Sequence, residues 1–218
     1  MFDFDLDLLE KNSTIVIIGH QNSGKSYLIK DIVSHNKDIP LHIACSQTER
    51  IYSFYDDFIN NKFIYNYCEP SLIDNLFKRY ELVKNDKRSM LILDRTLNLR
   101  GLWTKDETFL KLFNNNKSIE TMLIITFTFS LRVPCEIMNT YDYVFLFNDQ
   151  FIGNIKRIYE HYGTDIFKSF DEFREIFDKY TKNNYECLVL CLKSKKYYQY
   201  KSPKKIPKFK TLFYNYMW

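Results

Sequence analysis

Residues 19–26 read G-H-Q-N-S-G-K-S, which is the phosphate-binding pattern G-x-x-x-x-G-K-[S/T]. Gly19 and Gly24 permit backbone dihedrals that let the chain wrap closely around phosphates, so that backbone N–H groups point at the anion. Lys25 supplies a positive charge for the β- and γ-phosphates, and the Ser26 hydroxyl suits Mg²⁺. The pattern therefore predicts a site for ATP and Mg²⁺, to which we assign Gly19, His20, Gln21, Asn22, Ser23, Gly24, Lys25, Ser26 and Tyr27.

The segments on either side of this loop have the periodicities that the motif requires. Thr14-Ile-Val-Ile-Ile18 is a short β-branched run, which is typical of a buried strand. After the loop, residues 25–33 place apolar side chains at helical spacing, namely Leu28, Ile29, Ile32 and Val33. A glycine turn before an ordinary helix is the alternative interpretation, but strand, loop and helix in this order favour a phosphate site. Within the loop, we expect His20 to face solvent.

An acidic residue, Asp94, ends another apolar run, Met90-Leu-Ile-Leu-Asp94. A carboxylate there lies at the carboxyl edge of a parallel sheet, where ligands of such folds bind, and we expect Asp94 to help hold Mg²⁺. The alternative is an acid that only starts a turn. The next residue is Arg95, and the next glutamate is Glu107, which we expect to act in a helix-capping box that begins at Thr104.

The order of apolar and amphipathic segments indicates one α/β domain, for which 218 residues are ample. Strand and helix patterns alternate, which predicts a mostly parallel central sheet with helices on both faces. Together with the phosphate loop, this pattern is typical of a P-loop NTPase three-layer sandwich. We place this domain at residues 1–200 and a basic-aromatic tail at residues 201–218. We also expect a helix over residues 49–58 and a helix capped by Ser169.

Composition argues against membrane-spanning and disulfide-stapled classes of protein. No apolar run approaches the roughly 20 residues that a spanning helix needs. The first ten residues are acidic and amphipathic, unlike a signal peptide. The five cysteines are odd in number and lack C-x-x-C spacing, which indicates reduced thiols rather than a zinc site. We therefore expect an intracellular protein.

The positive charge of the chain is concentrated at its carboxyl end. Residues 193–218 contain eight lysines and no acid, whereas the whole chain has a net charge of +4, so residues 1–192 are mildly acidic. Lysines mixed with aromatic side chains suit a nucleic-acid backbone and its bases. The alternative is a tail whose aromatic residues pack back onto the domain or onto a neighbouring subunit.

Several segments in a fixed order resemble one known family. Besides the phosphate loop, they are residues 44–55, 90–94, 126–134 and 139–147. Over about residues 14–159, the chain resembles the DNA-packaging ATPases of large nucleocytoplasmic DNA viruses, the poxvirus-type branch of the FtsK–HerA superfamily. The resemblance implies ATP hydrolysis coupled to movement of double-stranded DNA by a homo-oligomeric ring. It also implies capsid or other virion proteins as partners, and a location in the host cytoplasm, a viral factory or the virion.

The departures from the family pattern fall on groups that would position water or stabilise transferred charge. Arg95 stands where the family has a second acid, Thr128 where its sensor strand has a glutamine, and Met138 where it has an arginine. The family's arginine–histidine pair is matched by Lys117 and Ser118. Lys117 keeps a positive charge but lacks the planar fork of arginine. The resemblance implies catalytic roles for Lys25, Asp94, Lys117 and Thr128.

Three functions therefore remain open. The first is an ATP-driven motor subunit for viral DNA packaging whose hydrolytic residues are partly degenerate. The second is a slow or non-hydrolysing nucleotide-binding protein with a structural or regulatory role. The third is a small-molecule kinase, which is less favoured because the arginines after the loop are scattered and form no cluster typical of a phosphate-covering lid.

Overall fold

An eight-stranded sheet organises the computed structural model, which describes residues 3–97, 102–130, 133–203 and 205–211. In chain order, its strands are β1 (Thr14–Ile18), β2 (His42–Ser46), β3 (Ile64–Tyr65), β4 (Ser89–Asp94), β5 (Thr121–Phe127), β6 (Tyr143–Phe147), β7 (Glu186–Cys191) and β8 (Lys196–Lys201). They lie side by side in the order β3-β2-β4-β5-β1-β6-β7-β8. The first six strands of this order run parallel, and β7 and β8 pair antiparallel at one edge.

The central strands owe their apolar sequences to burial on both faces. Every residue of β1, β2, β4 and β5 is buried, as expected for parallel strands that helices cover on both sides. The helices of the described residues are α1 (Lys25–His35), α2 (Glu49–Tyr52), α3 (Pro70–Leu82), α4 (Glu107–Asn115), α5 (Cys135–Met138), α6 (Ile152–Ile158) and α7 (Phe170–Tyr180). The predicted α/β sandwich with a mostly parallel sheet is confirmed.

Two of the helix predictions differ from the structure, and one is confirmed. The helix expected over residues 49–58 ends at Tyr52, because Ser53 adopts a left-handed conformation (φ 45°) that starts a new turn over Tyr55–Asp57. Helix α4 is capped by Asp106, whose carboxylate accepts hydrogen bonds from the next backbone N–H groups, so the capping box expected at Thr104 is wrong. Ser169 caps α7 as predicted.

The described part of the carboxyl-terminal tail packs back onto the domain. The Phe209 ring lies 5.5 Å from the Phe58 ring, and the Thr211 N–H donates to the carbonyl of Phe58 at 2.9 Å. These contacts favour the packed alternative for the tail as far as residue 211, and residues 212–218 lie outside the described part. Among the described residues, no helix combines the length and apolar character needed to cross a bilayer.

Candidate functional site

The phosphate loop connects the carboxyl end of β1 to the first turn of α1. Gly24 lies at φ 115°, in a region that side chains disfavour. A Cβ atom on Gly24 would lie 3.1 Å from the Phe147 ring and 3.3 Å from the Cα of Tyr185. A Cβ atom on Gly19 would lie 2.6 Å from the Ser23 hydroxyl. Both glycines are therefore required by the close packing of the loop against β6 and the start of β7.

The ammonium of Lys25 is folded over the phosphate loop. Its Nζ donates to the carbonyl of Gly19 at 2.5 Å and to the carbonyl of His20 at 2.7 Å. Burial, followed by the positive charge of Arg95, lowers the pKa of Lys25 to about 8, and the negative charge of Asp94 opposes this change. A bound anion would favour the charged form of Lys25, so the pKa of this group is coupled to occupancy of the loop.

Asp94 is held at the end of β4 by two hydroxyl groups. Its Oδ1 accepts a hydrogen bond from Thr126 Oγ1 at 2.7 Å, and its Oδ2 accepts one from the Tyr55 hydroxyl at 3.0 Å. Burial, more than the charge of Asp94, holds the pKa of Tyr55 well above its usual range, so the phenol remains a donor. The two donors fix the direction in which the carboxylate faces.

A buried glutamate shapes the turn that carries Tyr55. The Glu49 carboxylate accepts hydrogen bonds from the backbone N–H groups of Phe54, Tyr55 and Asp56, at 3.0, 2.8 and 3.0 Å. Because three backbone donors use its two oxygens, Glu49 fixes the chain that delivers the Tyr55 hydroxyl to Asp94. Sequence reasoning missed Glu49, Tyr55 and Thr126, since nothing in their local pattern indicates these contacts.

These groups surround one cavity of about 600 Å³, a size that suits a nucleotide. Aromatic rings form part of its wall: Tyr27 and Tyr185 meet edge to face with their centroids 5.1 Å apart, and Tyr52 is 68% exposed. The lining residues are Gln21, Asn22, Gly24, Lys25, Ser26, Tyr27, Thr48, Glu49, Tyr52, Phe54, Tyr55, Asp94, Arg95 and Tyr185.

The cavity has the oxygen groups that a nucleotide-bound Mg²⁺ uses. The Ser26 hydroxyl and the Asp94 carboxylate face the same space, and both are hard oxygen ligands of the kind that Mg²⁺ prefers. Within the described ranges, no cluster of three or more His, Cys, Asp or Glu side chains forms a separate metal cage. The arrangement fits a cation held by one or two protein oxygens together with substrate phosphates.

Known proteins with related sequences come from large DNA viruses. Protein L437 of Acanthamoeba polyphaga mimivirus is 25% identical over 202 residues, which cover 87% of this chain and 70% of L437. Protein 088R of Invertebrate iridescent virus 3 is 29% identical over 195 residues, or 82% of this chain and 74% of 088R. No family model matches the chain.

Among solved structures, the genome-packaging NTPase B204 of Sulfolobus turreted icosahedral virus 2, bound to ATPγS, superimposes with a TM-score of 0.66. The match covers 88% of this chain and 98% of B204 at 15% sequence identity. The chain has the P-loop NTPase fold. The resemblance that the sequence segments indicated is thus confirmed at the level of the fold.

The fold brings most of the predicted site residues together. Lys25, Ser26 and Asp94 line the cavity with Gln21, Asn22, Gly24 and Tyr27. The other loop residues fall outside its lining. His20 is exposed, as expected, and its ring bonds the carbonyl of Gln21 at 2.8 Å. The Ser23 hydroxyl is buried and has no hydrogen-bond partner among the described residues.

Lys117 lies away from the site, near the amino-terminal ends of the parallel strands. Its Nζ donates to Asp142 Oδ1 at 2.7 Å, and Asp142 Oδ2 accepts from the backbone N–H of Thr14, where β1 begins. The phosphate loop follows the other end of β1, so Lys117 lies outside the nucleotide cavity of its own chain. The positive charge of Lys117 instead balances a buried carboxylate.

Thr128 lies at the correct edge of the sheet but outside the cavity lining. It follows Phe127, whose carbonyl accepts from the Gly19 N–H at 3.1 Å. The residue of this strand that contacts Asp94 is Thr126, two positions earlier. Glu107, the next glutamate after Asp94 in the sequence, is exposed at the start of α4 and does not line the cavity.

Proposed function

We propose that this chain is an ATP-binding motor subunit that couples ATP hydrolysis to movement of double-stranded DNA during packaging of a viral genome. The observation that carries the proposal is the convergence of Lys25, Ser26 and Asp94 on one nucleotide-sized cavity. The fold that holds them is shared with a viral genome-packaging NTPase.

The chain's own residues account for nucleotide binding. Backbone N–H groups of the loop and the amino-terminal turn of α1 surround the phosphates, and Lys25 turns from the loop carbonyls towards them. Ser26 and Asp94 would hold Mg²⁺, which when bound offsets negative charge on the phosphates. Tyr55 and Thr126 keep the Asp94 carboxylate facing that position.

Hydrolysis requires groups beyond those of one chain. The carboxylates that line the described cavity are Glu49 and Asp94, and both already accept several hydrogen bonds. We infer that a neighbouring subunit in a homo-oligomeric ring completes the site, as the resemblance implies. Double-stranded DNA and capsid or other virion proteins are the proposed partners. The host cytoplasm or a viral factory is the proposed location, with incorporation into the virion.

A non-hydrolysing nucleotide-binding role is the second candidate function. It is favoured by the absence of an uncommitted carboxylate among the described residues lining the cavity, and by Arg95 in place of a second acid. In that case nucleotide binding without turnover would serve a structural or regulatory purpose.

Light scattering after gel filtration tests the motor proposal. The wild-type protein is measured with ATP, Mg²⁺ and a duplex DNA, alone and in combination, beside Lys25→Ala. We expect a larger, DNA-bound assembly with ATP that Lys25→Ala fails to form. A strict monomer without DNA binding under all conditions would contradict the ring and the motor role.

A further inference from the structure

Arg95 occupies a conformationally costly position in the site. It follows Asp94 directly and adopts a left-handed backbone conformation with φ 58°, which disfavours a residue with a side chain. The hydroxyl of Thr126 accepts its backbone N–H at 3.1 Å, so the same threonine holds both Asp94 and Arg95. Backbone strain of this kind persists where the surrounding structure fixes it, and it concentrates at functional sites.

The Arg95 side chain lines the nucleotide cavity beside Lys25 and Ser26. Its charge is close enough to affect two neighbours, since it helps to lower the pKa of Lys25 and partly opposes the rise in the pKa of Tyr55. Across residues 3–97, 102–130, 133–203 and 205–211, no carboxylate forms an ion pair with its guanidinium, whereas Arg88 pairs with Asp38 and Asp86. Arg95 is therefore a half-buried cation that faces the cavity without a partner acid in that part of the chain.

Two cations facing one cavity repel each other, and a polyanion between them removes the repulsion. Lys25 acts as a point charge, whereas the planar fork of an arginine matches two oxygens of one phosphate. We propose that Arg95 binds the terminal phosphate of a nucleoside triphosphate in its own subunit and so makes the site select triphosphate over diphosphate. This inference rests on the nucleotide site proposed above, and it assigns a ligand-binding role to the residue that replaces the family's second acid.

Binding affinities for ATPγS and ADP test this assignment. Arg95→Gly is the informative variant, because glycine removes the guanidinium and relieves the left-handed backbone, so the fold is retained. We expect it to weaken ATPγS binding by about ten- to a hundredfold, as for a lost charge-assisted hydrogen bond, and ADP binding by less than about threefold. Arg95→Lys should give an intermediate loss. Arg174→Ala, which removes an arginine paired with Asp178 on α7, should change neither affinity.

Two results would overturn the inference while leaving the nucleotide site intact. One is an equal effect of Arg95→Gly on both nucleotides, or no effect on either. The other is an Arg95→Glu variant that binds ATPγS like the wild type and hydrolyses ATP faster, since position 95 would then be one where a catalytic acid has been replaced and Arg95 would have no phosphate-binding role. A wild-type protein that binds neither nucleotide would refute the proposed function as well.

Discussion

The Tyr55 hydroxyl offers a sharp test of how the acidic half of the site is built. Tyr55→Phe removes one oxygen from a ring that is 1% exposed, so the aromatic packing is retained. The lost donor leaves Asp94 Oδ2 without its 3.0 Å hydrogen bond, while Thr126 still serves Oδ1.

A hydrogen bond to a charged group contributes about 1.5–3 kcal/mol, and we expect Tyr55→Phe to lower the free energy of unfolding by that amount. The matched control is Tyr141→Phe. Tyr141 is 3% exposed, but its hydroxyl is buried and finds no hydrogen-bond partner in the part of the chain that the structure describes. Removing an unsatisfied hydroxyl should leave stability unchanged or raise it slightly, because no bond is lost.

Urea unfolding of the two variants, with Asp94→Ala and the Tyr55/Asp94 double variant, provides the assay. The cycle should return a coupling energy of about 1.5–3 kcal/mol between Tyr55 and Asp94, in the range seen for contacting residues. The reasoning is refuted if Tyr55→Phe behaves like Tyr141→Phe, or if the coupling energy is close to zero.

Three further expectations follow from the same geometry. Gly24→Ala should abolish nucleotide binding and cost at least about 1 kcal/mol in the free energy of unfolding, because φ is 115° and the added Cβ meets Phe147 and Tyr185. In the control variant Gly153→Ala, the added Cβ meets no atom of the described residues within 4 Å, and because Gly153 lies in α6 the change should leave the free energy of unfolding unchanged or raise it by up to about 1 kcal/mol. Because the pKa of Lys25 is lowered to about 8, about half of the free protein molecules carry a neutral Lys25 at pH 8. ATP binding should therefore take up protons at pH 8, take up few at pH 6, and weaken as the pH rises above 8. Calorimetry in two buffers of different ionisation enthalpy measures this proton uptake, and proton release on binding would contradict the prediction. Lys117→Ala should destabilise the fold by up to about 1 kcal/mol in chemical unfolding while leaving the affinity of the isolated chain for ATP unchanged; a loss of ATP affinity would return Lys117 to the site.

The parts of the site that lie together in sequence were predictable. A phosphate loop needs its glycines, lysine and serine at fixed spacing between a strand and a helix, so the position of the loop between β1 and α1 could be predicted without a structure. The position of Asp94 could be predicted for a similar reason, because the carboxyl end of a buried parallel strand lies at the ligand-binding edge of the sheet.

The groups that hold Asp94 were not predictable, because they reach it across the fold. Tyr55 comes from a turn 39 residues earlier and Thr126 from a strand 32 residues later. The helix expected over residues 49–58 is interrupted because Glu49 bonds three backbone N–H groups of the following turn, which no local propensity indicates. The position of Lys117 near the amino end of β1, away from the phosphate loop, goes with its long-range pairing with Asp142, which the local sequence does not indicate.

Release of phosphate from ATP in the presence of Mg²⁺, with and without double-stranded DNA, tests the central claim most directly. The wild-type chain and Lys25→Ala are compared at equal concentration, because Lys25 lies in the phosphate loop. We expect turnover that duplex DNA stimulates and that Lys25→Ala abolishes. ATP binding without turnover, with or without DNA, would contradict the motor role and leave a nucleotide-bound structural or regulatory subunit.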